Sequence, residues 1–347
     1  MGCGQSSKRS AGAPRITGVE DESKDGGERE EKRQKAEKNL QAVEAARRHS
    51  QSLSSGVDAS KGSDFAQASS RKSNKSAVSK ALSASSAAGG PSKSEFVSNK
   101  ASYNSQADFA SIDQTIIIFD WDDTLCPSTW MRKHAQFDAE GHLKAKLDNE
   151  TRHELQMLAD QVTPLIEAAQ ELGKVIVVTN AKRPWVDTSC RNFLPSCKNT
   201  IKPIPVMYAL ELLKDLDQQK LDKDGACLLT ETKARAMKEA VTNFYSRYPN
   251  QSWKNIISIG DAFFEHDAIR QVSRERPQIE GFQKKCRTKT VKLLEGPSIA
   301  GMVVQLSIIE SWLAKIVQLD NDVDIDLSAD EETVNSWVSQ FGNDSGV

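Results

Sequence analysis

From about residue 112 onward, short unbroken apolar runs alternate with longer stretches of helical character. Ile116-Ile117-Ile118-Phe119 is the first run and stops at Asp120; Val175 to Val178 is the second and stops at Thr179; Ile256 to Ile259 ends at Gly260-Asp261. Apolar runs of this length without polar alternation suit strands covered on both faces. Ile201 to Met207 is a further candidate strand, and Pro203 and Pro205 favour an edge or irregular position for it. Thr290 to Leu294 is a fifth. Between these runs the sequence predicts a helix from Asp148, a good N-cap, to Leu172, stopped by Gly173. A second helix starts at Pro184 and is closed by Pro195; a third spans about Thr232 to Tyr245; a fourth, with a long apolar face, spans Pro297 to Val317. Strands alternating with helices predict an α/β domain, a doubly wound parallel sheet covered on both faces. Ligands of such sheets bind beyond the carboxyl ends of the strands. Asp120, Thr179 and Asp261 all lie there, so three polar residues from separate strands are expected to converge.

The first 111 residues read differently. They are rich in Ser, Ala, Lys, Gly and Glu, and Phe65 is the first aromatic. Such a segment cannot bury enough apolar surface to offset the entropy of ordering, so residues 1–111 are expected to form a disordered tether. Glu28 to Arg48 has the composition of a transient, solvated helix. The chain opens Met1-Gly2-Cys3-Gly4-Gln5-Ser6, which fits myristoylation of Gly2, with Cys3 available for palmitoylation. Two acyl chains give the stable binding that one does not. Arg71, Lys72, Lys75 and Lys80 add attraction to anionic lipid. These features predict a lipid anchor at the cytoplasmic face of a membrane.

Composition agrees with one folded domain diluted by a polar tail: hydrophobic residues make up 38%, and mean hydropathy is -0.54. A net charge of -2 argues against a strongly basic nucleic-acid binder. The six cysteines are scattered without paired C-x-x-C spacing, so a zinc site is not expected and a reducing compartment is. No secretory signal is evident, and no apolar run approaches the ~20 residues that span a bilayer. Residues 319–347 are acidic without a single Lys or Arg and read as a solvated tail. Within them Asp320, Asp322, Asp324, Asp326, Ser328 and Glu331 also fall at calcium-loop spacing, but Ile325 stands where such loops need Gly.

The candidate chemistry centres on Asp120-Trp121-Asp122-Asp123-Thr124. Two carboxylates two residues apart suit a nucleophile, Asp120, and an acid that protonates a leaving oxygen, Asp122. A phosphoryl group brings negative charge that a divalent cation and fixed donors must neutralise. Asp261 is an oxygen ligand for Mg2+, Thr179 a hydroxyl donor to phosphate, and Lys233, at the start of a predicted helix, a point charge.

Here the chain resembles the haloacid dehalogenase superfamily. Its first motif, an apolar strand followed by D-x-D-x-T, reads as Ile116 to Thr124; its second, a strand ending in Thr, as Val175 to Thr179; its fourth, G-D-x-x-x-[DE], as Gly260, Asp261 and Glu265. The third, a lone lysine, matches Lys233, with Lys202 as competitor. The resemblance implies an aspartyl phosphate on Asp120, with Asp122 as acid and then base. It further implies Mg2+ held by Asp120, the backbone carbonyl of Asp122 and Asp261, with Glu265 in support. Asp122 favours phosphoryl over carbon–halogen chemistry. Asp123 departs from the Gly found in many members and leaves the substrate class open. The loops leave room for a small flap and no full cap domain, an open site that suits phosphoproteins or other large substrates. The function expected is that of a membrane-tethered phosphatase. Its alternatives are a pseudophosphatase scaffold that binds phosphorylated partners and a calcium-responsive membrane adaptor.

Overall fold

The computed structural model describes Gln34 and residues 106–138, 141–212, 225–247, 251–277 and 284–342. Gly2, Cys3, the basic stretch around Arg71 and nearly all of the predicted 28–48 helix lie outside the described residues.

Strands β1 (Thr115–Phe119), β2 (Lys174–Thr179), β3 (Val206–Tyr208), β4 (Asn255–Gly260), β5 (Arg287–Lys292) and β6 (Val323–Asp326) form one sheet. All neighbouring pairs are parallel, in the order β3-β2-β1-β4-β5-β6. This is the α/β architecture that the alternating pattern predicts. The direction of winding reverses between β1 and β4, which opens a crevice at their carboxyl ends, the usual ligand site of such sheets.

Helices α1 (Ser128–His134), α2 (Asn149–Leu172), α3 (Trp185–Phe193), α4 (Lys198–Ile201), α5 (Gly225–Tyr245), α6 (Phe263–Arg274), α7 (Ile299–Gln318) and α8 (Glu331–Trp337) complete the domain. Side chains alternate across a strand, and the apolar runs supply two cores. Ile117, Phe119, Val177, Ile257 and Ile259 pack with α2 and α7, whereas Ile116, Ile118, Ile176, Val178 and Ile256 pack with α5 and α6. Asp148 caps α2 by accepting from Thr151 N at 2.8 Å. Against the expectation that no run is long and apolar enough to span a bilayer, α7 is so by length and composition, yet 61% of its most apolar stretch is buried inside the domain. Its apolarity serves the core beside α2.

Other expectations also need correction, among them the fifth strand, which runs from Arg287 to Lys292 and not from Thr290 to Leu294. The strand expected from Ile201 starts only at Val206; Ile201 closes α4, and Pro205 contributes its carbonyl alone, to Val177 N at 3.0 Å. Prolines without N–H delay pairing until they are passed, and β3 is indeed an edge strand. The helix expected from Thr232 starts at Gly225, and the Thr232 hydroxyl, already inside it, bonds back to the Leu228 carbonyl at 3.0 Å instead of capping. Lys233 therefore lies inside α5, not at its start.

Ordered structure begins before residue 112. Residues 106–110 form a turn in which Phe109 is buried under the Arg287 guanidinium, 4.1 Å from its ring centre. The acidic segment is also no loose tail. It supplies β6 and α8, and its carboxylates find partners: Asp320 with Lys285 and Arg287, Asp322 with Thr288 N, Asp324 with Thr290, Arg270 and His266. These bonds engage the acids that a calcium loop would need.

Candidate active site

β1 delivers Asp120 to the crevice, where its N–H donates to Ile259 O at 2.9 Å. Thr179 ends β2, and Gly260 ends β4 on the other side with Asp261 directly after it. The three strand-end residues thus meet at the reversal point. From above, α5 lowers Lys233, which is 2% exposed. Its Nζ donates to Asp120 Oδ1 at 2.7 Å and also pairs with Glu265 Oε1. Lys202, by contrast, is exposed beyond the end of α4. Glu265 is held twice, since its Oε2 accepts from Ala262 N at 3.1 Å. The close seat of Glu265 explains Gly260: a Cβ there would meet Glu265 Cγ at 2.5 Å.

After Asp120 the chain folds into a tight loop, with Leu125 N and Cys126 N both donating to Trp121 O at 3.0 Å. Asp123 adopts φ 54°, the left-handed region that Gly, Asn and Asp tolerate best. That lets an aspartate hold a backbone position that would also suit a glycine. Its carboxylate accepts from Thr129 N at 2.8 Å and Thr129 Oγ1 at 2.5 Å, so it ties down α1. Asp122 has three donors. Ser128 Oγ and Trp185 Nε1 donate to Oδ1 at 2.5 and 2.7 Å, and Thr179 Oγ1 donates to Oδ2 at 2.8 Å. Thr179 therefore serves Asp122 here, rather than standing ready for a phosphate oxygen. Ser128 and Trp185 escaped the sequence reading. They lie outside any strand end, and their one signal was proximity, Ser128 six residues past Asp122 and Trp185 six past Thr179.

The electrostatics are unbalanced. Burial first, and the Asp122 charge after it, push the Asp120 carboxyl above the usual carboxylate range, with Lys233 opposing. Burial also holds Asp261 well above that range, and the charges of Asp120 and Asp123 add to it. Two close carboxylates short of positive charge are a fit for a divalent cation. Among the described residues no three His, Cys, Asp or Glu side chains form a ready metal cage. Mg2+ does not need one, because it keeps several waters and uses one or two carboxylates plus substrate oxygens.

A cavity of about 670 Å³ opens over these groups, walled by Phe137, Trp185 and Phe264 and edged by Arg132 and Lys182. A second, of about 770 Å³, lies at the amino ends of β1 and β2 between Gly173 and Phe244 and has a mainly apolar lining. Size does not decide between them; the convergent charges sit in the smaller one. No family model matches the chain, and no curated protein or solved structure matches it either.

Proposed function

We propose that this domain is a Mg2+-dependent phosphatase of the haloacid dehalogenase type, working through an aspartyl phosphate on Asp120. The buried Lys233–Asp120 pair at the sheet's reversal point carries the reading. A lysine there orients the carboxylate and offsets the charge of an incoming phosphoryl group. Asp120 attacks phosphorus and the ester oxygen departs with the bonding electrons. Asp122, on the rim of the same cavity, gives that oxygen a proton and later takes one from the hydrolytic water. Asp120, the Asp122 carbonyl and Asp261 would hold Mg2+, which would screen the phosphoryl oxygens and draw charge off the phosphorus. Among the described residues a small flap, built from α1 and the Phe137–Leu143 bridge, borders the crevice.

The test is release of inorganic phosphate from a panel of phosphomonoesters with Mg2+ present. Asp120→Asn should remain folded and lose turnover by several orders of magnitude, because the covalent nucleophile is gone. Wild-type turnover in that variant would sink the mechanism. Attachment to a membrane through Gly2 and Cys3 rests on the Met1 to Ser6 pattern. Gly2→Ala should move the full-length protein from the membrane to the soluble fraction of cells, and retention in the pellet after a salt wash would refute it.

A further inference from the structure

The walls of the cavity above Asp120 are chemically lopsided. Phe137, Trp185, Phe264 and Leu229 line it, all part-exposed, whereas Asp120 at its floor is 4% exposed. The aromatic wall is packed from behind and tied by hydrogen bonds. Phe137 meets Trp185 edge to face with centroids 6.2 Å apart, and Phe193 at 5.8 Å backs it from behind. The flap carrying Phe137 is fastened to α3 by Asn192 Nδ2, which donates to Gly141 O at 2.7 Å. The Trp185 indole cannot turn freely, because its N–H is committed to Asp122. A ring lying against such a wall gains edge and stacking contacts that an alkyl chain lacks.

Resting on the phosphatase reading, we propose that the site selects aryl phosphate monoesters, the chemistry of a phosphotyrosine side chain or a small phenyl phosphate. The ring lies between Trp185 and Phe264 while the phosphate reaches the floor. Asp120 Oδ forms the bond to phosphorus, and the P–O(aryl) bond breaks with its electron pair on the phenolic oxygen. The phenolate collects its proton from Asp122 or solvent. Water then attacks phosphorus, loses its proton to Asp122, and regenerates the Asp120 carboxylate with release of phosphate. A rigid ring also sets its phosphate further from a peptide backbone than a serine side chain does, as a deep floor demands. Arg132 and Lys182 at the edge would meet acidic flanking residues of a peptide.

The experiment compares kcat/KM of the full chain with Mg2+ on phenyl phosphate, a phosphotyrosine peptide, the matching phosphoserine peptide and glycerol phosphate. Aryl esters should exceed alkyl esters, and Phe137→Ala should shrink that ratio by about tenfold or more, the scale on which an apolar pocket discriminates. Phe264→Ala, in α6 and outside the flap, should shrink it too, so a flap damaged by the first change does not decide the matter. The peptide and small-molecule arms separate the two sources of the aryl group. A wild-type enzyme that hydrolyses the alkyl esters equally well overturns the inference and leaves the phosphatase reading standing. So does a preference that neither variant alters, since it reflects leaving-group reactivity alone. A folded protein that releases phosphate from none of the four overturns both.

Discussion

Lys233 and Asp120 face each other at 2.7 Å with side chains only 3% and 5% exposed, and Glu265 contacts the same ammonium. One buried cation thus answers two buried anions. Lys233→Met keeps the bulk and removes the charge, leaving both carboxylates uncompensated. Chemical denaturation at neutral pH should show a loss of about 3–5 kcal/mol, the usual cost of breaking a buried pair from one side. A change below about 0.5 kcal/mol, typical of a surface substitution, would show that the pair is not buried in solution.

Asp261→Ala should lower the rate of phosphate release and shift its Mg2+ dependence to higher concentration, with partial recovery when the metal is raised. On the proposed reading Asp261 would be one of two side chains holding the ion, so affinity should suffer before chemistry does. Full wild-type activity in excess chelator would remove the metal from the mechanism.

Gly260→Ala places a Cβ 2.5 Å from Glu265 Cγ, too close for either to stay. Glu265 must move and Lys233 with it, at a cost of about 1–3 kcal/mol by analogy with overpacked cores. Because the clash needs both side chains, adding Gly260→Ala to Glu265→Ala should cost much less than it does alone. Strict additivity in a double-mutant cycle would place the harm elsewhere.

Lys289 is fully buried in β5, with its Nζ donating to Val317 O at 2.7 Å. Burial, and then the neighbouring Arg287, lower its pKa to about 7. The unfolded chain therefore holds a proton that the native state lacks between about pH 7 and 10.4, and stability should rise with pH across that window. Below it both states are protonated, and the burial penalty is present in full. Lys289→Met should flatten the rise and stabilise the protein near pH 6–7 by about 1–3 kcal/mol. Parallel stability–pH curves for the two proteins would refute this.

The central sheet was legible because Ile116 to Phe119 and Ile256 to Ile259 carry no polar interruption, and only strands buried on both faces tolerate that. Asp120, Thr179 and Asp261 were legible for the same reason, as the polar residues at which such runs stop. β6 was not. Asp322-Val323-Asp324-Ile325-Asp326-Leu327 alternates strictly, which is strand patterning, but its acidity drew attention to charge instead. Its partners were hidden as well, since Lys285, Arg287 and Arg270 are distant in sequence and only the fold makes them neighbours. The donors to Asp122 escaped for a similar reason. Ser128 and Trp185 each begin a helix whose position follows from packing and not from local pattern.

β6 forms one margin of the sheet, and its aspartates give the acidic stretch a protective duty. Cleavage after Gln318 would uncover the outer N–H and C=O groups of β5, together with a row of basic side chains deprived of their acids. Open strand margins recruit other open strands, and short, charged ones do so least. Proteolytic loss of the last 29 residues would thus exchange a short, acid-bearing edge for the longer margin of β5, more prone to joining its own copies.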